Sequence, residues 1–574
     1  MAPRSPLAGS GVDAIVSAGV FSGGPDPALA RQRLRALVCF GCVLLPWINP
    51  FASGPSSSID PWLFSAVCAG VACAVQPSVR FNLVLLAALA GLAGWAFVAS
   101  GPAPEVIALA GACVLVLLAA GASAAEARRK ELLEALALGW LLAAAISTAI
   151  ALCQYFGVGT ELAPWVNISS GNEAFANLRQ RNQFASLTVI GMAALFWLHP
   201  VAMRKWFAYA AIAWLAVGNA ATTSRTGLAQ MVMLGALACA WPGPQRQRMG
   251  LWAVGLAAYV VAALALPAAL EWATGMPGNR LWERVASVQS CSSRTVLWSN
   301  VLHLIAQRPL AGWGWGELDF AHFMTPYPGA RFCDILDNAH NLPLHLAVEL
   351  GVPAALLACG GVAWMLARAR PWREADPARQ MAWAVLVVLG VHSLLEYPLW
   401  YGPFQMAFGF ALGLLWPGRM KDASGARGAG WFAPVVALCV IAACAYAAWD
   451  YRRVSQIYLA PEARYAEYRD DPLPFIRKSW LFRNQARFAE LTITPLTREN
   501  AQWTYDSARA LLHYSPEPRV IEKLLESAVM LGRESEIVAE WQRYRVAFPE
   551  AYEKWSASNH LKSATRADRS HGPS

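Results

Sequence analysis

The chain has 574 residues, of which 56% are hydrophobic and only 14% charged. A soluble protein carries about 25% charged residues, so the composition excludes a globule solvated mainly by water. The net charge of +9, from 46 Lys and Arg against 37 Asp and Glu, reads as a membrane-topology signal and not as a nucleic-acid footprint, because most basic residues fall in alternate short loops between apolar runs.

Residues 1–30 are rich in Gly, Pro and Ala and lack a cleavable apolar core, while Arg31, Arg33 and Arg35 stand directly before the first apolar run. No secretory signal peptide is predicted, and 1–35 reads as a cytoplasmic segment. The spacing of apolar runs then predicts thirteen transmembrane helices, at about 36–51, 61–76, 81–99, 105–123, 132–156, 183–198, 206–220, 226–241, 250–270, 343–367, 380–396, 403–417 and 431–449. The longer ones reach the ~20 apolar residues that cross a hydrocarbon core. Arg80, Arg128 to Lys130, Arg204 and Lys205, Arg246 and Arg248, Arg368 to Arg379, and Arg419 to Arg427 all fall, with the Arg31–Arg35 cluster, on one side of this thread. By the positive-inside rule that side is cytoplasmic. The opposite connections, above all the long one at 271–342, then face the periplasm of a bacterial inner membrane.

An odd number of spans sends the tail to the periplasm as well. Residues 450–556 read as amphipathic helices, for example Arg498–His513, Glu517–Leu531 and Arg533–Phe548, without a clean repeat, and 557–574 as disordered. The expected fold is therefore all-α: a polytopic membrane domain over 36–449, a large periplasmic loop and a helical periplasmic tail. Ten of the twelve cysteines lie inside the expected spans. The other two, Cys291 and Cys333, share the 271–342 connection and are a disulfide candidate if it is periplasmic; two unrelated free thiols are the alternative.

Charged groups near membrane depth are costly and mark function. In chain order, the expected periplasmic face holds Arg179, Gln180, Arg181 and Asn182, a donor-rich ledge, and then Arg225 in a tight turn where the charge rule disfavours a cation. An arginine there can grip phosphate oxygens with two parallel N–H donors; the alternative is snorkelling to lipid headgroups. Arg294 opens an amphipathic helix at 295–305, with a surface ion pair as its alternative reading. His340 sits where the long connection re-enters the membrane, and an imidazole is suited to take a proton from an attacking hydroxyl; a structural histidine is the alternative. Asn341, His345 and Glu349 recur every four residues and share one helix face, as do His392 and Glu396. His392 reads as part of an interhelical hydrogen-bond network, and Glu396 either joins that network or orients a catalytic side chain.

Asp319 with His322, and Asp337 with His340, repeat an Asp-x-x-His spacing that has no specific metal signature, so no metal is assigned. Trp313 and Trp315, between glycines, suit either a sugar-stacking platform or an interfacial aromatic belt. The chain has no phosphate-binding glycine loop, which argues against a nucleotide-driven pump.

These stretches resemble the bacterial O-antigen ligase/polymerase superfamily, and within it the protein O-oligosaccharyltransferases that glycosylate pilins and other periplasmic proteins. The resemblance rests on Arg179–Ala185, Ser224–Gly227, Ser293 and Arg294 with Trp298, Arg308–Leu310 with Gly312–Gly316, His340 and Asn341 with Glu349–Gly351, and His392–Trp400, in that order over about 150–415. The last block points to the protein-glycosylating branch. Arg181 stands where the family pattern has proline. The resemblance implies an oligosaccharide donor on undecaprenyl diphosphate, an acceptor Ser or Thr hydroxyl on a protein such as a pilin, no metal or nucleotide cofactor, and no nucleic-acid partner. It assigns His340 to the acceptor and Arg225 and Arg294 to the diphosphate. A lipid A-core O-antigen ligase or an O-antigen polymerase is the alternative, and a lipid-linked glycan transporter the non-enzymatic one.

Overall fold

The computed structural model describes residues 27–51, 58–76, 79–124, 129–169, 172–202, 204–278, 291–417 and 432–558. The segment before 27, the tail beyond 558 and the basic positions Arg128, Arg419, Lys421 and Arg427 lie outside the described residues. Among the described residues every regular element is helical and none is a strand. In the membrane domain we number α1 (Pro27–Ile48), α2 (Asp60–Ala74), α3 (Leu83–Ser100), α4 (Pro104–Ser123), α5 (Arg129–Tyr155), α6 (Arg181–Ala202), α7 (Lys205–Ala221), α8 (Arg225–Ala240) and α9 (Gln245–Thr274). The long connection carries α10 (Arg294–Gln307) and α11 (Leu318–Met324). After it come α12 (Leu342–Leu350), α13 (Val352–Ala369), α14 (Pro377–Ser393), α15 (Gly402–Leu415) and α16 (Phe432–Ser455).

Each of the thirteen expected segments is helical, but six helices are long and apolar enough to cross a membrane by themselves: Leu83–Ser100, Pro104–Ser123, Lys130–Tyr155, Gln245–Thr274, Val352–Arg373 and Ala433–Tyr458. With six such helices the protein is a multi-pass membrane protein. The remaining segments are shorter or more polar, for a physical reason. A helix walled in by other helices can carry polar groups that bond across the interface, and α6 does so with Gln183, Ser186 and Thr188, each at most 3% exposed. The expected span at 343–367 is two helices. It breaks at Gly351, whose φ of +90° suits glycine, and where a Cβ would fall 2.1 Å from the Leu310 carbonyl oxygen.

One core joins α1, α2, α4–α9 and α14–α16. Small residues allow the helices to close on one another: a Cβ on Gly413 of α15 would lie 2.1 Å from the Ala120 carbonyl of α4, and Ser123 donates to the Phe410 carbonyl at 2.9 Å. By contrast α3 and α13 turn Leu83, Val84, Val98, Leu356, Leu357 and Trp364 outward, as helices solvated by lipid do. On the face opposite the connection, Arg248 is not a free topology charge: it is buried and donates to Gln380 Oε1 at 2.7 Å and to the Trp241 and Pro242 carbonyls.

The tail forms its own helical layer: α17 (Arg483–Ile493), α18 (Ala501–Leu511), α19 (Pro518–Met530) and α20 (Val538–Ala547), with a last helical stretch at 549–558. Asp450, fully buried at the end of α16, fixes its exit by accepting from Ser479 Oγ at 2.8 Å and the Leu481 amide at 3.2 Å. The tail's core takes in Phe320, Phe323 and Met324 of the long connection. His513 Nδ1 meets Glu317 Oε2 at 2.7 Å while its ring stacks on Phe320 at 3.8 Å. Tail and connection are thus one body on one side of the bundle.

Candidate active site

The start of α6 is held by the loop that precedes it. Gln154, fully buried near the end of α5, donates to the carbonyls of Asn167 and Ala176, both at 2.9 Å, and Asn177 ties the loop to the Ile48 carbonyl at 3.1 Å. The chain then turns through Arg179 at φ +62°. Gln180 closes the turn, its Oε1 accepting from the Gln183 amide at 2.7 Å. Gln180 is therefore a helix cap, and Arg181 is the exposed first residue of α6.

Asn182 is the first residue to reach the site. Its Oδ1 accepts from Ser224 Oγ at 2.7 Å, and its Nδ2 donates to Glu396 Oε1 at 3.1 Å. Ser224 is also the N-cap of α8, accepting from the Gly227 amide at 3.0 Å, as short hydroxyl side chains do at helix starts. Arg225 follows as the first residue of α8, exposed and with no ion pair or hydrogen bond among the described residues.

Glu396 is the hub. It is 9% exposed, in the turn after α14, and one oxygen pairs with Arg294, the first residue of α10. The other accepts from His340 Nδ1 at 2.7 Å. Burial alone would push the Glu396 carboxyl up, but the His340 hydrogen bond and the charges of His340, Arg294 and His392 outweigh it and hold it below the ordinary carboxylate range. Asp337 is the contrast: burial raises it despite His340 nearby.

His340 sits at φ +49°. Left-handed backbone at a non-glycine residue costs about 1–3 kcal/mol and persists where its surroundings over-determine it. Here Asn338 Oδ1 takes the His340 amide at 2.9 Å, Trp298 Nε1 donates to the Ala339 carbonyl at 3.0 Å, and Tyr397 meets the ring edge-on at 5.0 Å. Asn341 caps α12 and donates to the Leu394 carbonyl at 3.1 Å, fastening this turn to the one carrying Glu396. Arg179 and Thr223 at this end of the bundle also have left-handed backbone.

The first turns of α6, α8, α10 and α12 therefore meet through one chain of side chains. Helix starts present unpaired amides and the positive end of the macrodipole, so the arrangement favours an anion in addition to the Glu396 carboxylate. Behind it, His392 Nδ1 bonds Ser186 Oγ at 2.9 Å, and Gln230 links Ser186 to the Val388 carbonyl.

Other candidates lie elsewhere. Glu349 is at the far end of α12, 1% exposed, with His345 Nε2 at 3.3 Å. It supports the glycine–tryptophan loop and not His340: the Trp313 amide donates to the Val348 carbonyl and the Gly314 amide to that of Glu349, both at 2.9 Å. The tryptophans are not a free sugar platform. Trp315 is 8% exposed and stacks on Trp400 at 6.0 Å, and Trp313 lies under Arg308 at 4.1 Å. Burial pushes His322 down to about 3 and Asp319 well up, so this pair favours neutral forms. Cys291 and Cys333 are joined as a disulfide, closing the connection just before α10.

Sequence reasoning picked out Arg225, Arg294, His340, Asn182 and Glu396 one by one, and missed that Ser224 links two of them and that Trp298 and Asn338 shape the His340 turn. A serine at N-cap spacing before a helix was the available signal for Ser224.

Comparison with known proteins adds three family matches in chain order. Residues 174–199 match a protein glycosylation ligase model, 210–359 an O-antigen ligase model, and 380–562 the C-terminal model of a membrane-bound virulence-factor polymerase. The chain is also similar to the general O-oligosaccharyltransferase of Acinetobacter baylyi, 23% identical over 289 residues, or 48% of this chain and 49% of that protein. The match thus spans about half the length of the curated relative. Three stretches of the chain are thus similar in turn to protein glycosylation ligase, O-antigen ligase and membrane-bound polymerase models, each over less than half of its length.

Proposed function

We propose that this protein transfers an oligosaccharide en bloc from undecaprenyl diphosphate to a Ser or Thr hydroxyl of a periplasmic protein such as a pilin, at the outer face of a bacterial inner membrane. The observation that carries the reading is the chain from His340 through Glu396 and Asn182 to Ser224, which brings His340, its carboxylate partner and Arg225, unpaired among the described residues, to meeting helix starts. A carboxylate only accepts hydrogen bonds, so Glu396 keeps the hydrogen on His340 Nδ1 and leaves Nε2 as the basic atom of the neutral ring.

In the transfer, Nε2 takes the hydroxyl proton as the acceptor oxygen bonds to the anomeric carbon. The bond from that carbon to the diphosphate breaks, and its electron pair leaves on the diphosphate oxygen. Arg225, the donors of Arg294 that Glu396 does not take, and the helix-start amides offset the charge that develops there. The products are the glycosylated protein and polyprenyl diphosphate, with the proton released from the imidazolium.

The polymerase match over 380–562 favours a second reading in which the acceptor is a saccharide, as in an O-antigen polymerase or lipid A-core ligase. A deletion strain separates the two: loss of pilin glycosylation with intact lipopolysaccharide supports the protein acceptor, and the opposite pattern the saccharide. Purified enzyme with lipid-linked glycan and pilin, with and without chelator, tests the chemistry itself. Absence of transfer to either acceptor rejects the enzyme reading and leaves the transporter.

A further inference from the structure

Two lipid-facing spans end at one layer of the bundle. In sequence α3 follows Arg80 and α16 follows the basic stretch that ends at Arg427. Both turn apolar side chains outward, Val84 and Val98 on α3 and Val435 and Leu438 on α16. At 1.5 Å of rise per residue, Ser100 lies about 26 Å and Asp450 about 27 Å from the starts of their helices. A hydrocarbon core is ~30 Å thick, so both residues come to its boundary opposite the basic connections.

The chain after α16 returns across these two ends. Asp450 accepts from Ser479 and Leu481, Tyr451 meets Phe482 edge-on at 5.5 Å, and Arg483 Nη2 donates to the Pro102 carbonyl, just beyond α3, at 2.6 Å. Residues 477–483 thus form a rim segment that bridges α16 and α3 at membrane-surface depth.

The side chains that this rim turns outward suit a bilayer surface. Trp480 is 57% exposed and Trp449, next to Asp450, is 54% exposed. Tryptophan collects at headgroup level because its ring is apolar and its N–H polar. The Arg453 guanidinium pairs with Asp450 and lies 4.4 Å over the Trp449 ring, which holds that ring in place. Arg477 is committed to Glu490 at 2.7 Å. By contrast the Arg452 and Lys478 side chains are exposed and have no ion pair or hydrogen bond among the described residues. Arg452 shares a helix face with Trp449, three positions before it. Two tryptophans and two such cations, on the side where the charge rule disfavours cations, match a surface that is apolar below and anionic above.

We propose that the rim segment 477–483, with the end of α16, binds anionic phospholipid headgroups, Trp449 and Trp480 lying at headgroup level and Arg452 and Lys478 meeting the phosphate oxygens. The occupant is the bilayer's own phospholipid, because the two spans that meet the rim face lipid and neither carries a residue of the candidate active site. The contact ties the tail, whose core takes in Phe320 and Phe323 of the long connection, to the bilayer as well as to the bundle.

Photo-crosslinking tests this on the full chain in nanodiscs of phosphatidylglycerol and phosphatidylcholine, with a benzophenone amino acid at position 480 and the adducts read by mass spectrometry. Lipid adducts form, and phosphatidylglycerol is enriched among them roughly fivefold over its share of the bilayer, the effect of one cation near an anionic surface. The enrichment shrinks at high salt. Arg452→Gln combined with Lys478→Gln brings the ratio to that of the bulk bilayer, while the melting temperature in uncharged detergent stays at the wild-type value. Adducts to a second copy of the chain in place of lipid, a wild-type ratio equal to the bulk ratio, or enrichment that persists in the folded double variant overturns the assignment. None of these readings requires glycan transfer, so an enzyme that transfers nothing overturns the proposed function and leaves the rim contact standing.

Discussion

Replacing Glu396 with Gln is the most informative perturbation of the candidate site, because one carboxylate holds three partners. The substitution keeps the shape and removes the charge. It leaves Arg294 without its counter-charge, and it lets the amide nitrogen face His340 Nδ1, which permits the unproductive ring tautomer. Hydrogen bonds to charged groups contribute about 1.5–3 kcal/mol. The one that bears on the rate is the 2.7 Å contact to His340, because the ring gains its positive charge in the transition state. Its loss corresponds to a fall in kcat of roughly tenfold to a hundredfold. The assay is steady-state transfer of a labelled glycan from undecaprenyl diphosphate to purified pilin. A Glu396→Gln enzyme with kcat within twofold of wild type would refute the orienting role. The pH dependence has a definite sign. Because the folded-state carboxyl titrates below its ordinary value, its stabilisation is complete above the unfolded value and is lost only as pH falls through the lowered one. The contribution of the Glu396 charge to the difference in melting temperature between wild type and Glu396→Gln should therefore be lost only below about pH 4.

Three further expectations follow from the same geometry. His340→Ala and Arg225→Ala should each abolish transfer while leaving membrane insertion intact, and Arg225→Ala should also leave the melting temperature near wild type, since Arg225 has no partner among the described residues; normal glycosylation by both variants would reject the site. Cys291→Ser should destabilise the connection, because the disulfide spans 42 positions and closing such a loop is worth about 4 kcal/mol in the chain-entropy model; reducing agent should lower the melting temperature of the wild type and not of the variant. Gly312→Ala would set a Cβ 2.3 Å from the Glu349 carbonyl oxygen at φ +72°, and thermal unfolding should report a loss of about 2–4 kcal/mol.

Helix positions were legible because apolar run length is a one-dimensional signal, and each expected segment is helical. The break at Gly351 was not, since it depends on the Leu310 carbonyl approaching from forty residues away. Tryptophan patterns misled for a similar reason: Trp315 between glycines reads as exposed, but Trp400, distant in the chain, covers it. Charged residues at the site stood out because cations and a histidine are costly at an apolar boundary. Their neutral partners, Ser224, Asn338 and Trp298, did not, because a serine, an asparagine or a tryptophan is ordinary at a helix start or in a loop until its partner is known. Arg248 shows the limit of counting loop charges, as it is consumed in a buried helix-to-helix tie.

The account depends on the site opening on the face of the membrane where lipid-linked glycan is displayed. An alkaline phosphatase reporter inserted at Gly329 in the long connection, which has open space around it, tests that directly in a strain still making the full-length chain. The account predicts high phosphatase activity from an exported reporter; an inactive phosphatase, with a fluorescent protein at the same position glowing in the cytoplasm, would contradict it.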